Sequence, residues 1–105
     1  MNIGFDFDDT LNTDIGIRLC KNIKPNNTIF IISSRLTGNN KDIFALADEL
    51  GIDRANIFLT NGQSKVSFIN NLAIDIFFED CPFEIKEINK ETNANVIDMS
   101  KNVKE

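Results

Sequence analysis

The chain has 105 residues, enough for one domain with a single modest hydrophobic core and too few for two. Its 42% hydrophobic and 26% charged residues are ordinary for a globular protein, and its net charge of −5 gives no general basic field for nucleic acid or an anionic membrane. The sequence contains no histidine, which excludes serine–histidine, cysteine–histidine and histidine–metal chemistry.

The first half of the chain predicts strands at Asn2–Phe7 and Thr28–Ile32 and helices at Thr13–Ile23 and Asn40–Leu50. Ile15, Leu19 and Ile23 recur every four residues and mark the expected apolar face of the first helix, which Thr13 or Asp14 would cap. The second helix carries an apolar stripe and is expected to end at Gly51, because glycine readily adopts the left-handed backbone conformation that commonly terminates a helix. The second strand is an unbroken β-branched and aromatic run, as expected of a strand that is covered on both faces.

The second half predicts strands at Asn56–Thr60, Ile74–Phe78 and Asn95–Met99, and helices at Ser64–Leu72 and from Pro82 to about Asn89. A polar tail begins at Ser100. Strands that alternate with helices of this length favour right-handed crossovers and a parallel sheet. We therefore predict a single α/β domain over residues 1–105, a three-layer α/β/α sandwich of about five strands.

Acidic residues follow the first predicted strand. Asp6 and Asp8 share one face of an extended chain, where two carboxylates repel each other unless a cation or a shared proton relieves them. The alternative interpretation is a strand followed by an Asp-rich turn, and Asp9 fits that role.

Polar residues also follow the later strands, at Ser33, Ser34, Arg35, Glu79 and Asp80, and Lys65 stands near the start of a helix. Each has an ordinary structural explanation, as a strand end, a helix cap or a solvated residue. In a doubly wound sheet, however, all of them gather at the carboxyl edge near the point where the strand order reverses. Acids, a hydroxyl and an ammonium at one edge suit a divalent cation together with a phosphate.

These residues resemble the motifs of the haloacid dehalogenase (HAD) superfamily of phosphotransferases. The family's Asp-x-Asp-x-Thr motif is similar to Asp6-Phe7-Asp8-Asp9-Thr10, and its Ser or Thr after the next strand is similar to Ser33. Its Lys near a helix start is similar to Lys65, and its paired acids after an apolar strand are similar to Glu79-Asp80, with Glu where the family usually has Asp or Gly. The string Ser33-Ser34-Arg35 resembles the Ser-Gly-Arg of some nucleotide and polynucleotide phosphatases.

The resemblance implies a Mg²⁺-dependent phosphatase without a cap domain. Asp6 would be the nucleophile that forms an aspartyl-phosphate, Asp8 the general acid and base, and Ser33 and Lys65 the remaining catalytic residues. Mg²⁺ would bind Asp6, the backbone carbonyl of Asp8, Asp80 and, directly or through water, Glu79. Ser34, Arg35 and Thr10 would lie at the substrate, although the Thr10 hydroxyl is also suited to ordering the turn.

The implied substrate is a phosphorylated small molecule or an exposed phosphate on a larger one. Nucleotides and phosphorylated nucleic-acid ends are candidates, but the net charge does not favour a nucleic-acid partner. Two other functions stay open: a non-catalytic binding protein on the same scaffold, and a receiver-type phosphoacceptor domain. The last would need an Asp after the third strand, where this chain has Thr60-Asn61.

The expected location is the cytoplasm. No apolar run approaches the length of a membrane span, and the first residues lack the basic start and apolar stretch of a signal peptide. Cys20 and Cys81 lie far apart in the sequence and are expected to be free thiols. The sequence predicts no membrane partner and leaves the oligomeric state open.

Overall fold

Strands and helices alternate along residues 1–100, the part of the chain that the computed structural model describes. The strands are β1 (Asn2–Phe5), β2 (Thr28–Ser33), β3 (Ile57–Leu59), β4 (Ile76–Glu79) and β5 (Asn95–Asp98). The helices are α1 (Asp14–Ile23), α2 (Lys41–Leu50), α3 (Val66–Asn71) and α4 (Pro82–Glu91). A turn at Phe7–Leu11 follows β1; it is called the π-helical turn because the N–H groups of Leu11 and Asn12 donate to the carbonyls five residues earlier, although Asp8 and Asp9 within it have non-helical backbone angles. A 3₁₀ turn at Arg54–Asn56 precedes β3. The predicted polar tail lies outside the described residues beyond Ser100.

The five strands form one parallel sheet in the order β3-β2-β1-β4-β5. One face carries a hydrophobic cluster shared with α1 and α2, and the other face carries a cluster shared with α3 and α4. This architecture confirms the predicted three-layer α/β sandwich. Because the chain moves outward in one direction from β1 to β3 and in the other from β4 to β5, the strand order reverses between β1 and β4. Ligands of open α/β sheets bind at the carboxyl ends of the strands beside such a reversal.

The central strand β1 is buried on both faces, which explains its composition. Phe5 stacks on Phe78 of β4 with ring centroids 4.6 Å apart, on the face that α1 and α2 cover. On the opposite face, a Cβ at Gly4 would lie 2.6 Å from the Phe77 ring, so only glycine leaves room for that ring. These contacts fix β1 against β4 and therefore fix the two strand ends that carry the acids.

Several predicted boundaries were wrong by one or two residues. β1 ends at Phe5 rather than at residue 7 because the chain turns into the π-helical turn immediately after Asp6. β4 begins at Ile76, two residues late, because the Ile74 N–H donates to the carbonyl of Ile69 and closes the end of α3. β2 gains Ser33 and α4 extends to Glu91, whereas β3, α3 and β5 are shorter than predicted.

The predicted inward face of α1 was partly wrong. Ile15 is exposed, and the buried positions of the helix are Gly16 and Cys20. A Cβ at Gly16 would lie 1.9 Å from the Thr10 carbonyl oxygen, so glycine allows α1 to pack directly on the π-helical turn. Close backbone approach, rather than the largest side chains, sets the orientation of this helix.

The connections between strands are short. The turn and α1 span the path from β1 to β2, and α2 with the 3₁₀ turn spans the path from β2 to β3. The described residues therefore contain no inserted cap domain, as predicted. None of the helices within residues 1–100 combines the length and the apolar character needed to cross a membrane.

Candidate functional site

Three carboxylates meet at the carboxyl ends of β1 and β4, where the strand order reverses. Asp6, Glu79 and Asp80 each offer an oxygen within 4.8 Å of the others, and the first two side chains are buried. The Asp6 N–H donates to the Phe78 carbonyl at 2.9 Å, which extends the pairing of β1 with β4 by one residue. The sheet itself thus holds the acids together.

Lys65 provides the buried positive charge of the cluster. It stands directly before α3, and its side chain is 1% exposed. Its Nζ lies 2.8 Å from Asp6 Oδ1, 2.7 Å from Glu79 Oε1 and 3.5 Å from Glu84 Oε1. Burial alone would lower the pKa of Lys65, but the charges of Asp6 and Glu79 outweigh it and raise that pKa above its ordinary value. Lys65 therefore remains protonated.

Glu79 is fully buried, and both of its oxygens have protein partners. Oε1 accepts from Lys65, while Oε2 accepts from the backbone N–H groups of Asp80 at 3.1 Å and Cys81 at 3.2 Å. Burial, reinforced by the charge of Asp6, raises the pKa of Glu79 above its ordinary value, and the contact with Lys65 opposes that shift. These contacts tie Lys65 to the loop that enters α4.

Asp80 and Asp6 share a hydroxyl neighbour. Thr10 Oγ1 lies 3.3 Å from Asp6 Oδ2 and 3.4 Å from Asp80 Oδ1. Burial and the nearby Asp6 carboxylate raise the pKa of Asp80. Thr10 is fully buried, so its hydroxyl orders the acids and no part of the residue is exposed to a substrate.

Ser33 ends β2, which pairs with β1 on the side opposite to β4, the strand that carries Glu79. It is buried, and its Oγ accepts from the Arg35 N–H at 3.2 Å; among the described residues the hydroxyl hydrogen has no acceptor. The loop after β3 holds this segment through backbone hydrogen bonds, from Thr60 to Ser33 and from Gly62 to Ser34, both at 2.8 Å. Ser34 itself is exposed.

Asp8 has a different partner from Asp6, although an extended chain would place both carboxylates on one face. Arg35 donates to Asp8 from Nε at 3.0 Å and from Nη2 at 2.7 Å. The Asp8 side chain is half exposed, at 50%, whereas Asp6 is buried against Lys65. The turn at Phe7–Leu11 separates the two acids, which the sequence spacing alone did not predict.

Local hydrogen bonds keep this turn in place. Asp9 has φ 59°, and its N–H donates to Asn12 Oδ1 at 2.8 Å, which confirms the expected turn role. Thr13 Oγ1 donates to the Thr10 carbonyl and accepts from the Gly16 N–H, so Thr13 caps α1 and anchors the turn at once.

Sequence reasoning missed two charged residues of this region. Asp42, in the first turn of α2, binds the Arg35 guanidinium, and Glu84 of α4 approaches Lys65. Neither follows a strand, so the strand-end pattern gave no signal for them. Cys20 is buried and Cys81 is half-buried; both are free thiols, as predicted.

The chain matches no known protein-family model and no curated protein. A parallel α/β sandwich supports many unrelated activities. The functional assignment therefore depends on the residues of the site.

Proposed function

We propose that this protein is a Mg²⁺-dependent phosphatase in which Asp6 is the nucleophile. The observation that carries the proposal is the buried Asp6 carboxylate, held 2.8 Å from Lys65 and beside Asp80 at the reversal of strand order. The resemblance of the four motifs to the HAD superfamily supports the same activity. Two free thiols suit a reducing compartment, and we propose the cytoplasm.

The position of Asp6 suits a nucleophile. One carboxylate oxygen contacts Lys65 and the other faces the Thr10 hydroxyl, so the orientation of the group is fixed before substrate binds. Lys65 carries a permanent positive charge that would offset both the attacking carboxylate and the transferring group. Its own position is fixed by Glu79, which accounts for a buried glutamate beside two aspartates.

The donor atoms fit Mg²⁺, which prefers oxygen ligands. One oxygen from each of the three acids lies within 4.8 Å of the others, and burial together with the neighbouring Asp6 carboxylate raises the pKa of Asp80. When bound, Mg²⁺ would supply Lewis-acid stabilisation of the phosphoryl oxygens. Asp6 and Asp80 would hold it, with the Asp8 carbonyl as the resemblance implies. Glu79 would act through water, since both its oxygens are already engaged.

Asp6, Asp8 and Ser33 act at different points of the proposed hydrolysis reaction. The Asp6 carboxylate attacks phosphorus, the bond to the leaving oxygen breaks, and Asp8 gives that oxygen a proton. Asp8 then removes a proton from the water that attacks the aspartyl-phosphate, which releases inorganic phosphate and restores the Asp6 carboxylate. The Ser33 hydroxyl, whose hydrogen has no acceptor within the described residues, would donate to a phosphoryl oxygen.

The open edge of the sheet favours a substrate with an accessible phosphate. No inserted domain covers the site within the described residues, so substrates range from nucleotides to phosphorylated nucleic-acid ends. The net charge of −5 makes a polynucleotide the weaker candidate. A partner subunit over the site is compatible with this proposal.

Hydrolysis of p-nitrophenyl phosphate with and without Mg²⁺ tests the activity directly. Asp6→Asn should abolish metal-dependent turnover, because an amide is not a nucleophile for phosphorus. Asp9→Asn is the matched control, since Asp9 is an exposed acid in the same turn and asparagine tolerates its left-handed backbone. The control should keep the activity of the parent.

Two results would contradict the proposal. One is turnover by Asp6→Asn equal to that of the parent. The other is an absence of turnover by the parent on p-nitrophenyl phosphate and on a panel of nucleotides and sugar phosphates, which would favour a non-catalytic binding protein.

A further inference from the structure

We propose that Arg35 is a positioning residue that orients the Asp8 carboxylate, and that Asp42 in turn orients Arg35. This role rests on the proposed function, since it concerns the proton donor of that reaction. It differs from the sequence expectation that Arg35 itself holds the substrate.

Every N–H group of the Arg35 guanidinium has an acceptor. Nε and Nη2 donate to the two oxygens of Asp8 at 3.0 and 2.7 Å, and Nη1 and Nη2 donate to the two oxygens of Asp42 at 2.7 and 2.8 Å. The second hydrogen of Nη1 faces Asn40 Oδ1 at 3.4 Å. A guanidinium has five such hydrogens, so none is left for a substrate phosphate unless one of these contacts breaks.

The arginine is also fixed by its surroundings. Its guanidinium carbon lies 5.1 Å from the centre of the Phe7 ring, a buried residue of the π-helical turn. Its backbone N–H donates to Ser33 Oγ, and its carbonyl accepts from the Asn61 N–H at 3.1 Å. Only 27% of the side chain is exposed. A flat, doubly bidentate group in this position restricts the Asp8 carboxylate to one plane.

This restriction matters because the described residues give the Asp8 side chain little other contact. Its side chain is half exposed, and Arg35 is the partner that the described structure gives its carboxylate. A general acid must lie within hydrogen-bond reach of the leaving oxygen in a fixed direction. The contact with Arg35 defines that direction, and each Asp8 oxygen keeps a second lone pair on which the transferred proton can be carried.

Asp42 offers a way to disturb Arg35 without touching the reacting groups. It lies in the first turn of α2, and its Oδ1 also accepts from the Ile43 N–H at 3.0 Å. Asp42→Asn removes its charge and one of its two acceptor oxygens. The matched control is Asp48→Asn, because Asp48 receives the same kind of bidentate contact from Arg54, at 3.1 and 2.6 Å, on the later part of the same helix.

The test compares two substrates that differ in their need for a proton donor. p-Nitrophenolate leaves readily without a proton, whereas the alkoxide of glycerol phosphate does not. We expect Asp42→Asn and Arg35→Lys to lower the single-turnover rate of glycerol release from glycerol phosphate by about tenfold or more, and to lower the pre-steady-state rate of p-nitrophenol release much less. Steady-state turnover of both substrates should also fall, because hydrolysis of the shared aspartyl-phosphate needs Asp8 as well. The inhibition constant of inorganic phosphate should stay unchanged, KM should not rise, and Asp48→Asn should match the parent.

A double-mutant cycle separates this role from a merely structural one. If Arg35 acts through Asp8, Arg35→Lys should cause no further loss in the single-turnover rate of glycerol release in an Asp8→Asn background. Thermal unfolding of each variant shows whether it is folded at the assay temperature.

Each contrary outcome has a separate meaning. An increase in KM and in the phosphate inhibition constant for Arg35→Lys, with kcat unchanged, would show that Arg35 binds substrate and would overturn the inference. Equal losses in the release rates of glycerol and of p-nitrophenol, additive effects in the cycle, or full activity of Asp42→Asn would overturn it as well. A parent without turnover would overturn the proposed function and this role with it.

Discussion

Lys65 offsets the free-energy cost of burying the acid cluster. Two carboxylates, those of Asp6 and Glu79, lie within 2.8 Å of its ammonium group, and all three side chains are at least nine-tenths buried. Removing charged groups from water is costly, and their mutual attraction offsets that cost only while every partner is present. Burying these charged groups therefore costs folding free energy at this site, as expected where charge is needed for function.

Replacing Lys65 should leave the cost of burying these carboxylates without compensation. We expect Lys65→Met to lower the free energy of unfolding by about 3–5 kcal/mol, because it leaves buried carboxylates without a cation. Urea unfolding followed by circular dichroism measures the change. Lys86→Met, at an exposed position of α4, is the control and should change stability by less than about 0.5 kcal/mol. A similar small loss for Lys65→Met would contradict the assigned role.

The pairing of Asp42 with Arg35 predicts a dependence on pH. The hydrogen bond from Arg35 lowers the pKa of Asp42 below its ordinary value of 3.8. A depressed pKa in the folded state adds stability above the unfolded pKa, and that stability is lost as the pH falls through the folded pKa. Asp42→Asn should therefore cost about 0.2–1 kcal/mol at neutral pH and almost nothing well below pH 3.8.

Urea unfolding at neutral pH and in strong acid measures this difference. Asp9→Asn serves as the control, because Asp9 is exposed and forms no ion pair within residues 1–100. A difference between parent and Asp42→Asn that stays constant, or that grows as the pH falls, would contradict the ion pair.

Among the structural elements, the junction between the π-helical turn and α1 is the one that shapes the site. The turn directs Asp6 toward Lys65 and Asp8 toward Arg35, and α1 packs on its backbone at Gly16. Thr13 joins the two elements by hydrogen bonds to both. The side chains of two neighbouring acids can diverge because this junction holds the chain between them in a single shape.

Gly16→Ala should separate the two elements. Alanine in a helix normally stabilises by about 1 kcal/mol relative to glycine, but here its Cβ would lie 1.9 Å from the Thr10 carbonyl oxygen. We expect a net loss of about 1–3 kcal/mol, because the helix must move away from the turn. Asn22→Ala, at an exposed position of the same helix, should be neutral or slightly stabilising. Stabilisation by Gly16→Ala in urea unfolding would contradict this packing.

For the whole molecule, the fold could be predicted because the spacing of hydrophobic residues agrees with the positions of glycine and proline at helix ends along the chain. Alternating apolar runs and amphipathic segments indicated a parallel sheet between two helical layers, and Gly51 and Pro82 marked helix ends correctly. The exact limits of β1 and β4 could not be predicted, because they depend on hydrogen bonds that close neighbouring turns. The outward position of Ile15 depends on a backbone contact that has no signature in the pattern of hydrophobic residues.

The predicted site residues also fall into two groups: those that sheet topology places, and those whose contacts depend on the shapes of loops. Asp6, Lys65, Glu79 and Asp80 lie together because sheet topology alone brings the ends of β1 and β4, and the start of α3, to one place. The contacts of Asp8, Arg35 and Thr10 depend on the shapes of individual loops and on partners such as Asp42. Those pairings are set by tertiary structure and leave no trace in residue spacing.

The most direct test of the account is to identify the residue that carries phosphate during turnover. Asp8→Asn, which lacks the proposed base for hydrolysis, should accumulate the intermediate when it is mixed with p-nitrophenyl phosphate and Mg²⁺ and quenched in acid. Borohydride reduction followed by peptide mass spectrometry locates an acyl phosphate, because the reduction converts it to an alcohol. We expect modification at Asp6 alone. Modification at any other residue, or hydrolysis that persists in Asp6→Asn, would show that Asp6 is not the nucleophile.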